Sequence, residues 1–159
     1  MHHRKRQWNL ASRRIFFRWL LSGRTLTWLD RSSADLEIGP RGEREAERFF
    51  LRKGYWVIER SYVEKTGEID LIVTDGYAVR FVEVKTRSSD RAGLPAEAVD
   101  LEKQRHISDT ARIFMLKNDL NDCPVKFDVL SIVWPDLQSA PDIQHFESAF
   151  EATGEFQML

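Results

Sequence analysis

Asp70, Glu83 and Lys85 are the residues of this 159-residue chain whose types and spacing could do chemistry. Glu83 and Lys85 stand two apart in the apolar run Phe81-Val82-Glu83-Val84-Lys85. On a strand they share one face with Phe81, while Val82 and Val84 point the other way, toward the core. Asp70 stands between Ile69 and Leu71 in a second apolar run. Charge in such surroundings is costly unless it is paired or bound to a metal. The Asp75-Gly76 dipeptide between the two runs is a strong hairpin signal. It makes the runs antiparallel neighbours and sets Asp70 and Glu83 roughly opposite each other. Two facing carboxylates repel, and a divalent cation between them removes the conflict.

Mg²⁺ or Mn²⁺ suits that arrangement, because such an ion takes one or two carboxylates plus waters and phosphate oxygens. The chemistry would be metal-assisted phosphodiester hydrolysis, with the phosphate polarised and a bound water made more acidic. Lys85 would orient or help deprotonate the attacking water, or stabilise the pentavalent phosphate. Glu43 opens a helix directly after Gly42 and can reach the metal or its waters. Glu-x-Lys alone is a common tripeptide, and its bland reading is a strand salt bridge between Glu83 and Lys85. Asp70 on the paired strand brings the two readings level.

The elements that must position these residues can be read from periodicity. Ala46, Phe49 and Phe50 fall at the i, i+3, i+4 spacing of a buried helical stripe, predicting a helix over residues 43–53 with Gly54 as its stop. Strands are expected over 55–58, 68–74 and 77–86. A long helix is expected over 96–117 and a fourth strand over 127–134. Residues 143–150 read as a short edge strand. The order α-β-β-β-α-β-β predicts an α/β domain with a mixed sheet.

Composition fits one domain. Hydrophobic residues are 42% and charged residues 31%, an ordinary globular balance. Net charge is −1, but its distribution is uneven. Residues 1–38 hold 8 Lys+Arg against 3 Asp+Glu, and the remainder 16 against 22. We divide the chain into a basic, aromatic extension (1–38), a folded domain (39–150), to which the resemblance described below gives an endonuclease-like character, and a tail (151–159). Cys123 is the only cysteine, so no intrachain disulfide forms, four-cysteine zinc sites are excluded, and a reducing cytoplasm is the expected location. The apolar segment 15–21 is interrupted by Arg18 and is too short to span a membrane. In the extension, Arg residues alternate with Trp8, Trp19 and Trp28. That pattern suits nucleic-acid backbone with base stacking and equally an anionic membrane surface. A third reading is that translation starts downstream and the extension is never made.

Gly42-Glu43-x-x-Ala46, Phe50-Leu51-x-x-Gly54-Tyr55, Gly67-Glu68-Ile69-Asp70-Leu71-Ile72 and Phe81-Val82-Glu83-Val84-Lys85-Thr86-Arg87 together resemble the YraN-like family of small bacterial proteins. Gly93-x-Pro95, Ala98-Val99, Phe127-Asp128-Val129 and His145-x-x-x-Ala149-Phe150 extend the resemblance from about Gly39 to Phe150. That family is similar in turn to archaeal Holliday-junction resolvases and to the PD-(D/E)xK restriction-endonuclease superfamily. The resemblance implies a restriction-endonuclease-like sheet flanked by helices. It also implies that Glu43, Asp70, Glu83 and Lys85 fall on active-site positions. Resolvases of that superfamily act as dimers, so it further implies a homodimer.

Arg87, Lys103 and Arg105 are expected to contact nucleic-acid phosphates near the metal, against a bland reading as solvated surface. His106 and His145 are expected to be structural, and Tyr55 and Trp56 to belong to the core. Cys123 has no basic neighbour in sequence to activate it. The expected function is a metal-dependent endonuclease acting on DNA, on branched or single-stranded forms. The alternative is a nuclease-like module that binds nucleic acid without cutting it.

Overall fold

A computed structural model of the chain describes residues 38–88, 99–136 and 138–154. The expectations for the extension and for Gly93-x-Pro95 lie outside the described residues, as do residues 96–98 of the predicted second helix. The elements are α1 (Ile38–Arg52), β1 (Trp56–Glu64), β2 (Gly67–Thr74), β3 (Val79–Ser88), α2 (Leu101–Lys117), β4 (Val125–Trp134) and β5 (Asp142–Phe150). They form one five-stranded sheet in the order β1-β2-β3-β4-β5. β3 and β4 run parallel and the other neighbours are antiparallel. The predicted α/β class and element order are therefore observed.

A parallel pair needs a crossover connection, and α2 supplies it between β3 and β4. α2 lays Ile107, Ala111, Phe114 and Met115 on one face of the sheet against Ile69, Ile72, Phe81, Phe127 and Val129. α1 covers the other face, with Ala46 and Phe50 against Leu71, Val73, Val82, Leu130 and Ile132. Both faces of β3 are thus core, where the sequence pattern assigned only the Val82 side to it. Each fully buried side chain of this size, such as Phe50, Ile72 or Phe81, contributes about 1.5–3 kcal/mol.

Helix ends explain several boundary differences. α1 stops as predicted at Gly54, whose φ of +80° lets its N–H and that of Tyr55 reach the carbonyls of Leu51 and Phe50 at 2.9 and 3.0 Å. α2 begins at Leu101, not 96, because Asp100 caps it. The Asp100 carboxylate accepts from the Lys103 N–H at 2.8 Å. β3 begins at Val79 rather than 77, because Asp75 accepts from the N–H groups of Tyr77 and Ala78 and holds both in the turn. β1 differs most. It runs on from the predicted 55–58 through nine residues to a two-residue turn at Lys65-Thr66. Its second half, Glu59-Arg60-Ser61-Tyr62-Val63-Glu64, is polar at an edge of the sheet and lacks an apolar alternation.

Candidate active site

Three strands bring one row of polar residues together. β1 pairs with β2 through Arg60↔Leu71 and Tyr62↔Ile69, and β2 pairs with β3 from Leu71↔Val82 onward. Asp70 is skipped in both ladders. The register sets Ser61 level with it on one side and Glu83 on the other. The side-chain alternation of β2 also breaks here. Ile69 and Ile72 both join the α2 core, whereas Leu71 and Val73 join the α1 core. β2 and β3 part at this point, and the Asp70 Oδ2 accepts the Val84 N–H at 2.7 Å. The carboxylate thereby satisfies a backbone donor in the interior.

Glu83 is buried, with 4% of its surface exposed. Its Oε1 accepts from Lys85 Nζ at 2.8 Å and lies 3.3 Å from Lys103 Nζ. Its Oε2 is buried with no hydrogen-bond partner. Lys103 reaches Glu83 because the Asp100 cap fixes the first turn of α2 beside β3. α1 begins at Ile38 rather than at Glu43 as expected, so Glu43 lies in its second turn, and its Oε2 accepts from Ser61 Oγ at 3.3 Å. Gly42 makes that approach feasible, since a Cβ there would lie 1.9 Å from Thr86 Oγ1. Only glycine lets α1 ride this close to β3.

The electrostatics crowd negative charge into a buried place. The Asp70 carboxyl is pushed up to about 6. Burial is the main cause, followed by the negative charge of Glu83 and, more weakly, Glu43. The Val84 N–H and the Lys103 ammonium pull the other way. A buried carboxylate oxygen without a donor, beside a carboxyl that resists ionising, is the chemistry a divalent cation relieves. Among the described residues, no group of three or more His, Cys, Asp or Glu side chains gathers closely enough to hold a metal ion. The donor set therefore fits an ion that takes Asp70 and Glu83 and fills its remaining positions with water or phosphate.

Of the predicted residues, Asp70, Glu83, Lys85 and Lys103 come together directly, and Glu43 borders them. Arg105 is not brought there. It is exposed, 3.9 Å from Asp109, beside a groove lined also by Lys65, Thr66 and His106. Arg87 lies on β3 two residues past Lys85, half-buried and in register with Val133 of β4. Glu47, one helical turn after Glu43, pairs instead with Arg60 of β1. Ser61 escaped the sequence reading, and its φ of +43°, rare for a residue with a Cβ, leaves no mark in composition.

A second buried polar cluster, also unforeseen as a unit, ties β3, β4 and β5. Asp128 is fully buried and accepts from Arg80 at 2.9 and 3.2 Å, from the Ser148 N–H at 2.8 Å, and from His145 Nε2 at 2.9 Å. His145 packs edge-on to Phe49 and Phe50. It is a structural histidine, as expected. Tyr55 stands at the same place, against Phe50 and beneath Arg80. Cys123 is buried. No described helix is long and apolar enough to cross a membrane.

Comparison with known proteins places these features in a family. The UPF0102 protein of Geotalea uraniireducens is 40% identical over 114 residues, covering 72% of this chain and 89% of that protein. Its counterpart from Caldicellulosiruptor saccharolyticus is 36% identical over 114 residues, covering 72% and 97%. The one from Solibacter usitatus is 41% identical over 114 residues, covering 70% and 84%. The profile described as the uncharacterised protein family UPF0102 matches residues 42–132, a span that holds Glu43, Ser61, Asp70, Glu83, Lys85 and Lys103. The chain belongs to the UPF0102, or YraN-like, family.

Proposed function

We propose that this protein is a metal-dependent endonuclease that hydrolyses phosphodiester bonds in DNA, on branched or single-stranded forms. The observation that carries the reading is the Asp70–Glu83 pair. It joins one buried carboxyl that resists ionising to another with an unpartnered oxygen, beside two lysines. Asp70 and Glu83 would hold a Mg²⁺ or Mn²⁺ ion, which when bound polarises the phosphate and acidifies water. Glu43 accepts a hydrogen bond from a water at the edge of the site and holds it in place. Lys85 lies on the face of β3 that Glu83 shares, where its ammonium can orient the attacking water or meet the charge that develops on phosphorus. Lys103 offers a second cation for the phosphate, since α2 holds it at Glu83. Arg87 at the strand end and Arg105 on α2 would contact the DNA backbone on either side of the cut. Two symmetric cuts in a junction would call for a homodimer, and the most natural location is the cytoplasm.

Incubating the purified chain with Mn²⁺ and junction, flap, single-stranded and duplex DNAs tests this. Cleavage of at least one, lost in Asp70→Ala and Lys85→Ala, is the expected result. No cleavage of any, or undiminished cleavage by Asp70→Ala, would overturn it.

The absence of a three-ligand cluster among the described residues favours a second reading. There the protein is a nuclease-like module that binds nucleic acid without cutting. Binding that needs no metal and survives Glu83→Ala would select that reading.

A further inference from the structure

Ser61 is the residue at this site that neither charge nor motif explains. It lies inside β1, yet its φ of +43° places it in the left-handed region, where a serine in a strand is strained. Its place in the register is level with Asp70, at the one position of β2 that both flanking ladders skip. Its hydroxyl does not bond back to the strand. It donates 3.3 Å across to Glu43, on the other side of the sheet edge. Flanking residues have ordinary duties. Arg60 pairs with Glu47 of α1, and Tyr62 packs edge-on to Phe114 of α2. The backbone therefore reverses its facing at a residue held on both sides by opposite helices. Strain of this kind persists only where the surroundings enforce it, and it gathers at functional sites.

We propose that Ser61 is a positioning residue for the candidate active site. Its left-handed backbone opens the ladder beside Asp70, and its hydroxyl fixes the Glu43 carboxylate at the border of the Asp70–Glu83 pair. Ser61 touches neither the ion nor the phosphate and acts through Glu43. This rests on the reading of Asp70 and Glu83 as a cation site, and the two can fail separately.

The backbone and the hydroxyl can be separated by substitution. Ser61→Gly keeps the left-handed conformation and deletes the hydroxyl. Ser61→Asn tolerates the same conformation and restores a side-chain donor. Mn²⁺ affinity by calorimetry, alongside the thermal midpoint, reads the two roles in the full-length chain. We expect Ser61→Gly to melt at or above the wild-type temperature while binding Mn²⁺ about tenfold more weakly, and Ser61→Asn to bind within threefold of wild type. In a Glu43→Ala background, Ser61→Gly should cost nothing further, because the hydroxyl has lost its acceptor. Wild-type affinity in Ser61→Gly, or the same tenfold loss in the Glu43→Ala background, would overturn the role of Ser61 and leave the cation site standing. A wild-type chain that binds no Mn²⁺ would overturn the cation site and this inference with it.

Discussion

The Asp70 carboxylate accepts the Val84 N–H at 2.7 Å, at the point where β2 and β3 stop pairing. One side chain thus replaces a rung of the ladder and faces Glu83. The arrangement costs stability, because it buries a carboxyl next to another carboxyl. The protein keeps its least comfortable charges where a cation would relieve them.

The raised Asp70 titration has a definite sign. Its folded value of about 6 lies above the ordinary aspartate value near 3.9, so the folded state binds this proton more tightly than the unfolded state does. Its contribution is fully present below about pH 4 and is lost as pH rises through about 6. The loss is at most about 3 kcal/mol. Asp70→Asn, which can still accept from Val84, should raise the melting temperature at pH 7.5 by roughly 5–10 °C and leave it nearly unchanged at pH 4. A destabilised Asp70→Asn at pH 7.5 would contradict this account.

Glu83 holds Lys85 and Lys103 on one buried oxygen. Glu83→Ala leaves two partly exposed ammonium groups without their shared carboxylate and should cost about 1–2 kcal/mol, measured by urea denaturation. Glu83→Gln keeps the shape and removes the charge. It should cost less stability while abolishing Mn²⁺ binding, so the two losses should not run in parallel.

Gly42 predicts a steric effect that reaches the site. Gly42→Ala places a methyl group 1.9 Å from Thr86 Oγ1 and must lift α1 from β3, at about 1–3 kcal/mol. Because Glu43 is the next residue, cleavage should fall more than stability alone explains. Thr86→Ala in the same chain should recover part of both losses. Denaturation midpoints and initial cleavage rates of the single and double variants measure this.

The Arg80–Asp128–His145 cluster should behave in the opposite way from Asp70. Burial opposes ionisation of Asp128. The hydrogen bonds from His145 and the Ser148 N–H, with the charge and hydrogen bond of Arg80, outweigh it and hold the carboxyl below its usual range. The stability it contributes is present above the ordinary aspartate value and is lost as pH falls through the lowered one. Asp128→Asn leaves the buried Arg80 with only the exposed Glu147, 3.4 Å away, as counter-charge and should cost about 3 kcal/mol at pH 7. Acid titrations followed by circular dichroism should show the wild type losing this advantage below about pH 4.

The sequence makes the centre of the site legible and leaves its support hidden. Glu83 and Lys85 share a face by strand periodicity, and the Asp75-Gly76 turn sets Asp70 across from Glu83, so local rules suffice. Ser61 and Gly42 depend on other things: a single backbone angle, and the distance between a helix and a strand far apart in the chain. Neither leaves a periodic trace. β1 was seen only in part because its polar second half is at an edge. The Asp128–His145 bond forms only once β5 folds back on β4, at a bulge in that ladder. Phe81 shows the converse, since strand alternation gave its direction correctly but could not show that α2 would cover that face as well.

Whether Asp70 and Glu83 form the proposed divalent-cation site is decided by a calorimetric titration with Mn²⁺ of wild type against Asp70→Asn. Saturable binding by the wild type, with at least a hundredfold weaker binding by a folded Asp70→Asn, is the expected result. Equal binding by the two proteins, or no binding by the wild type, would contradict it.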